Sequence, residues 1–299
     1  MKETNAGKAF LSALLAVLFW STSPTAFKLG LRYQDPLAFL TGASVASLLI
    51  LGILLLPRKR YRTLRSFTRR DFARSLLLGM VNPVAYYLVL FKAYSLLPAQ
   101  VAQPLNMIWP IVLVLISIPF MGQRIGWKSL AAMGLSFSGV VLVSLQGGAA
   151  GKDPGNTLGI VLALSTSIIW SFYWIANARD GKDPVARLFL NFLFASLVLI
   201  AAGCIRGHPF AGPTAGLAAA AYVGIFEMGV TFVLWLRAMQ MAPSTARISN
   251  LVYLAPFINL LLVNRVLGEK IYLTTVPGII LLVAGIMIQN LTGNAKRIG

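Results

Sequence analysis

Apolar residues in this chain run in stretches of about twenty, the length an α-helix needs to cross the hydrocarbon core of a bilayer, and charges, prolines and glycines punctuate them. Counting runs between those breaks predicts ten transmembrane helices, near 9–29, 37–56, 74–96, 99–120, 128–146, 157–177, 185–204, 214–238, 245–264 and 272–291. No segment between them exceeds about twenty residues, which leaves no room for a soluble catalytic or nucleotide-binding domain. The expected fold class is all-α and integral to the membrane. The first run, Phe10 to Phe27, follows only Lys2 and Lys8 and has the outline of a signal peptide. Its Trp20 to Pro24 core lacks a small-x-small cleavage site, however, and a counterpart stands later in the chain, so it reads as a retained first helix.

That counterpart belongs to a long-range echo. Lys92 and Ala93 match Arg237 and Ala238, and Pro98 matches Pro243, at an offset of 145. Pro110 matches Pro256, Gly122 matches Gly268 and Gly139 matches Gly285 at 146. Upstream, Phe19, Trp20 and Ser21 align with Ile169, Trp170 and Ser171 at 150, and Asp35-Pro36 aligns with Asp183-Pro184 at 148. The chain therefore divides into two units, 1–150 and 151–299, each with five helices. Because five is odd, the second unit must enter the membrane from the opposite face, which makes the pair an inverted-topology repeat.

Composition supports this reading: 58% of residues are hydrophobic, 11% are charged and the mean hydropathy is +0.77, whereas soluble domains carry about a quarter charged residues. The net charge of +18 suggests nucleic acid until its distribution is seen. Eight of the 26 basic residues (Arg58, Lys59, Arg60, Arg62, Arg65, Arg69, Arg70 and Arg74) lie between the second and third runs. That is the pattern of a cytoplasmic loop facing anionic headgroups. Ten spans place both termini on the side of this loop, and 19 of the 26 Lys and Arg then fall inside. Both termini are expected in the cytoplasm, with the lipid bilayer and a small-molecule substrate as partners and no nucleic acid. Cys204 and His208 are the sole cysteine and histidine, so neither an intrachain disulfide nor a metal centre is expected. No phosphate-binding motif is visible, which points away from a cofactor and toward a gradient as energy source.

Polar groups at bilayer depth are costly and tend to face a cavity or a partner. Glu227 is the one acidic residue placed mid-span, and at offset 145 it pairs with Asn82, while Thr231 pairs with Tyr86. Two corresponding positions are thus polar in both units, as expected of a midplane site at a repeat interface. Glu227 is a candidate to accept a substrate ammonium or to exchange a proton; the alternative is a protonated carboxyl bonded to a neighbouring helix. Gln100, Gln103 and Asn106 fall at helical spacing in the fourth run, and Arg247, Asn250 and Tyr253 in the ninth. Each stripe lines a cavity or bonds one helix to another. Trp20, Trp170 and Trp174 sit inside their spans, away from headgroup level, where indoles pack or wall a pocket. Pro98 and Pro243 mark the short turns after the third and eighth helices, and Pro110 and Pro256 interrupt the helices that follow; all four are hinge candidates.

A Trp-Ser pair in the first helix of each half, Asp-Pro opening the second, and Pro98 and Pro243 each leading into a Pro-interrupted helix that ends near Gly122-Gln123-Arg124 or Gly268-Glu269-Lys270 resemble the drug/metabolite transporter superfamily. The resemblance spans nearly the whole chain and is nearest the ten-helix metabolite-exporter branch. The aromatic-rich spans are similar to those of aromatic amino acid exporters of bacterial inner membranes. One departure is Gln123, where the second half has Glu269. The resemblance implies a secondary transporter that exports amino acids or similar small metabolites by alternating access, through a cavity lined by helices 1, 3, 4, 6, 8 and 9. A drug carrier and a passive channel are the alternatives; a nucleotide-sugar carrier would want several inward cations. An intramembrane enzyme would need a nucleophile or metal constellation at depth, and the sequence offers none.

Overall fold

The computed structural model describes residues 6–109, 112, 116, 127–144, 154–178, 182–241, 251 and 254–294. In chain order its helices are α1 (Ala6–Leu31), α2 (Pro36–Leu55), α3 (Arg58–Leu64), α4 (Arg69–Gly79), α5 (Tyr86–Leu96), α6 (Ala99–Asn106), α7 (Trp127–Ser144), α8 (Pro154–Ala178), α9 (Pro184–Ile205), α10 (Thr214–Tyr222), α11 (Thr231–Met241), α12 (Ala255–Leu267) and α13 (Thr275–Asn294). Two irregular segments with π-type turns, Met80–Ala85, which is kinked at Asn82, and Val223–Val230, join α4 to α5 and α10 to α11; they are called the first and second π segments.

Among the described residues six helices are long and apolar enough to cross a membrane: Gly7–Leu31, Pro36–Leu55, Arg69–Leu96, Asn156–Tyr173, Pro184–Ile205 and Thr214–Trp235. Large apolar side chains such as Leu49, Ile53, Leu77 and Leu197 face outward from them. In water that would be a liability, but lipid tails solvate such a surface. The expected fifth and tenth runs appear as α7 and α13. Of the fourth and ninth, the described portions are α6 and α12, and Pro110, Pro243, Asn250 and Tyr253 lie outside the described residues.

Local sequence accounts for several boundaries. α2 and α9 open alike, with an Asp capping the helix and Pro at the first position, where its missing N–H costs nothing. Asp35 accepts from Leu37 N at 2.9 Å and Asp183 from Ala186 N at 2.9 Å. α4 opens with a reciprocal cap between Thr68 and Asp71. Arg187 of α9, 3% exposed, then donates to the Asp71 carbonyl at 2.7 Å, to Ser75 Oγ at 2.8 Å and to Asp71 Oδ1 at 3.1 Å. These bonds tie the first turns of α4 and α9 together. α1 carries Pro24 inside it, and the hydroxyls of Ser21, Thr22 and Ser23 bond back to the carbonyls of Val17 and Phe19.

Close helix approaches come in matched pairs. A Cβ at Gly139 of α7 would strike the Gly278 carbonyl and Leu282 N of α13, while one at Gly285 of α13 would strike the Ala132 carbonyl and Ser136 of α7. Each of these residues lies 146 from its counterpart. Likewise a Cβ at Gly79 would strike the Asn191 carbonyl, and one at Gly224 the Ala43 carbonyl, at separations of 145 and 148. Missing side chains at these four positions let backbones meet, which is how helices associate where apolar burial alone drives nothing. α1 packs against α11 and α12, and α8 against α5 and α6, so the same correspondence runs through the helix pairing.

Candidate functional site

A cavity opens where α1, α5, α6, α8, the second π segment and α11 converge. Its walls are Trp20, Ser23, Pro24 and Phe27 of α1, Tyr86, Leu90 and Tyr94 of α5, and Gln103 and Asn106 of α6. Met107, Trp109, Trp170, Glu227 and Trp235 complete them. The free volume is about 60 Å³.

Aromatic rings make most of the wall. Trp20 and Trp235 lie 5.2 Å apart between ring centroids, Tyr86 and Trp170 4.7 Å, and Phe27 and Tyr94 5.3 Å in an edge-to-face arrangement. Such rings accept the apolar body of a ligand, and their faces attract a cation.

Polar atoms are few. Glu227, 7% exposed, accepts a 2.7 Å hydrogen bond from the Tyr87 hydroxyl at Oε1; the Ser23 hydroxyl, which donates to the Phe19 carbonyl, is its other polar neighbour, and Oε2 makes no hydrogen bond of ordinary geometry. Gln103, 2% exposed, leaves both amide atoms without partners. Asn106 is held in place: its Nδ2 donates to Tyr86 Oη at 3.1 Å and to Thr166 Oγ1 at 2.8 Å. The buried orphans on the wall are therefore a carboxylate oxygen and a primary amide. An unmet buried polar atom costs about 1–3 kcal/mol, which a ligand with matching groups would recover. Among the described lining residues Glu227 is the one carboxylate, and neither Lys nor Arg is present.

Of the residues singled out from sequence, Trp20, Tyr86, Gln103, Asn106, Trp170 and Glu227 converge on this cavity. Asn82 and Thr231 do not line it. Asn82, with φ −149° and ψ 117°, breaks the helix inside the first π segment and is buried with its amide unpartnered. The Thr231 hydroxyl bonds to the Phe226 carbonyl of its own helix. Trp174 lies on α8, and its side chain is outside the described set, as are the side chains of Gln100 and Pro256. Pro98 sits where expected, capping α6 immediately after α5. Sequence reasoning passed over Ser23, Phe27, Leu90 and Tyr94. Phe27 and Tyr94 carried a signal: each lies one or two helical turns from a named candidate on the same helix face, Trp20 and Tyr86 respectively.

The backbone as a whole superposes on a solved crystal structure of 22% identity with a TM-score of 0.71, over 98% of this chain and 99% of that one. A protein named probable terminal-alkyne amino-acid exporter, from Streptantibioticus cattleyicolor, is 27% identical over 95% of this chain and 93% of its own length. The aromatic amino acid exporter YddG of Ancylobacter novellus is 29% identical over 62% of this chain and 64% of its own. The pattern of the EamA-like transporter family matches residues 7–145 and 157–291, and the chain therefore belongs to that family and is a multi-pass membrane transporter, not an enzyme.

Proposed function

We propose that this transporter exports amino acids with aromatic or other apolar side chains across the bacterial inner membrane. The observation that carries the reading is the Glu227 carboxylate, buried, with Oε2 making no hydrogen bond of ordinary geometry, in a pocket half of whose described lining residues are aromatic. Glu227 takes the ligand's ammonium group, the Gln103 amide takes its carboxylate, and Trp20, Tyr86 and Trp170 hold the side chain. Two relatives of this chain bear the names of amino-acid exporters, which supports the substrate class. Among the described lining residues there are none of the cations that a phosphorylated sugar would require. An organic cation with a ring system is a second candidate cargo, favoured by the same lone carboxylate among aromatic faces.

The scaffold of this reading is ten helices in two inverted five-helix repeats, 1–150 and 151–299, with both termini cytoplasmic. Support comes from the matched close approaches between α7 and α13 and between α2, α4, α9 and α10, whose residue separations repeat those of the sequence echo. With a free volume of about 60 Å³, against the roughly 300–1,000 Å³ of ligand sites, the cavity must widen to seat an amino acid. Rocking one repeat against the other would part its walls on one face at a time, with Pro98, Pro110, Pro243 and Pro256 as bending points.

Counterflow in proteoliposomes tests the proposal. Vesicles preloaded with unlabelled tryptophan, phenylalanine, leucine or lysine are diluted into a trace of the labelled compound. Saturable, transient accumulation for the aromatic and aliphatic amino acids is expected, with weak accumulation for lysine. Linear, unsaturable entry would identify a channel, and accumulation confined to ring-bearing cations would replace amino acids as the cargo.

A further inference from the structure

The turn between α5 and α6 is held from two sides by charged residues of distant segments. α5 ends with Leu97 extended at φ −117° and ψ 153°, and Pro98, lacking an N–H, caps α6. Helix ends leave carbonyls unpaired at the C-terminus and N–H groups unpaired at the N-terminus. Here the Lys28 ammonium, from the last turn of α1, donates to the Tyr94 and Leu97 carbonyls at 2.9 Å each. Glu269 Oε1 accepts from Ala99 N, the first residue of α6, at 2.9 Å. A cation therefore sits at the C-terminus of α5 and an anion at the N-terminus of α6, each the sign that end of a helix favours.

Glu269 is itself rigidly presented. α12 stops at Gly268, whose φ of 68° is the left-handed value that turns the chain out of the helix. Just beyond, Glu269 N donates to the Val263 carbonyl at 3.3 Å and its own carbonyl accepts from Asn264 Nδ2 at 3.0 Å. Beneath the turn lies a cluster of rings. Phe27, next to Lys28, packs on Tyr94 at 5.3 Å and on Phe91 at 4.9 Å, and Phe27 and Tyr94 are also cavity wall. The α4–α5 span places this turn at the membrane face opposite Asp71.

We propose that Lys28 and Glu269 form a latch that holds the Pro98 turn, and the Phe27–Tyr94 ring pair beneath it, closed over the cavity on that face. Both are positioning residues: neither lines the cavity, and each acts on the access path through the backbone it grips. Opening this face requires α1 and the segment after α12 to release the turn together, so the latch sets how often the cavity faces that side. The proposal rests on the cavity being the transport path.

The test needs no substrate. In proteoliposomes, with exposed Cys204 replaced by Ser, a single reporter Ser23→Cys faces the cavity, and a charged, membrane-impermeant methanethiosulfonate is added from the Pro98 face. Lys28→Met, which removes both donated bonds, and Glu269→Gln, which keeps an acceptor but loses the charge, are each expected to raise the labelling rate by about tenfold, the scale of one charge-assisted contact. Lys28→Arg, which keeps the donors, holds the parent rate, and Glu269→Asp, one methylene shorter, gives an intermediate rate and serves if the Gln variant fails to fold. From the opposite face the same variants should label more slowly. Unchanged rates in folded protein, or a rise from both faces alike, would overturn the latch. An absence of amino-acid counterflow would leave these rates as they are and would count against the proposed cargo alone.

Discussion

Replacing Glu227 with Gln changes one oxygen to an amide nitrogen and removes a charge, while leaving shape and most contacts intact. The remaining carbonyl oxygen can still accept from Tyr87, whose hydroxyl lies 2.7 Å from Oε1, so folded yield should match wild type. What disappears is the negative partner for an ammonium group at Oε2, the atom that makes no hydrogen bond of ordinary geometry. Hydrogen bonds to charged groups contribute about 1.5–3 kcal/mol, so KM for an amino acid should rise by about ten- to a hundredfold. Glu227→Ala goes further, because it strips the acceptor from a Tyr87 hydroxyl in a fully buried side chain. Thermal stability in detergent should fall by an amount on the order of 1–3 kcal/mol in addition to the loss of transport. The assay is initial-rate uptake and exchange at equal folded amounts, with and without an imposed proton gradient. If Glu227 also carries protons, the Gln variant will exchange substrate yet fail to accumulate it against a gradient. Wild-type kinetics in both variants would refute the reasoning and return Glu227 to a structural role.

Two further outcomes are expected. Trp20→Ala and Trp170→Ala each remove a ring from the wall and enlarge the cavity, so uptake of tryptophan relative to leucine should shift several-fold, read as a ratio of KM values in competition; an unchanged ratio would assign both indoles to packing. A reporter active only in the cytoplasm, fused at the C-terminus, should be active, because 19 of the 26 basic residues then lie inside; an inactive fusion would remove a span from the proposed ten or overturn the inverted repeat.

Much of the helix layout was legible because a bilayer imposes one simple rule: backbone polar groups must be satisfied internally, so apolar length reads directly as helix. Asp35-Pro36 and Asp183-Pro184 marked helix starts that the structure places at those residues. Side-chain direction was harder to read. Asn82 and Glu227 look equivalent by offset, but helical spacing fails as a guide there: the backbone at Asn82 leaves the helix at φ −149° and ψ 117°, whereas Glu227 lies in a wide π turn. The Thr231 hydroxyl bonds to the Phe226 carbonyl, since a hydroxyl in a helix can satisfy itself on its own backbone and need not seek a cavity. The latch was illegible because it joins Lys28, Ala99 and Glu269, residues far apart in sequence that share no periodic pattern.

The two π segments lie at corresponding points of the proposed repeats, ending at Ala85 and Val230, 145 apart. At each, a span that would otherwise be continuous α-helix loosens beside the cavity, with a polar residue in the irregular turn. A strictly symmetric pair would present the same group from both sides and bind an asymmetric ligand in two opposed orientations. Here the pair differs: Glu227 lines the cavity with its carboxylate, whereas Asn82 is buried away from the lining. The indoles stay matched, Trp20 facing the cavity from α1 and Trp170 from α8. The apolar wall is thus supplied by both halves and the charge by one. Under the proposed function, that division would favour a single orientation for an amphipathic cargo, ammonium toward the second π segment, while leaving the proposed symmetric scaffold free to rock.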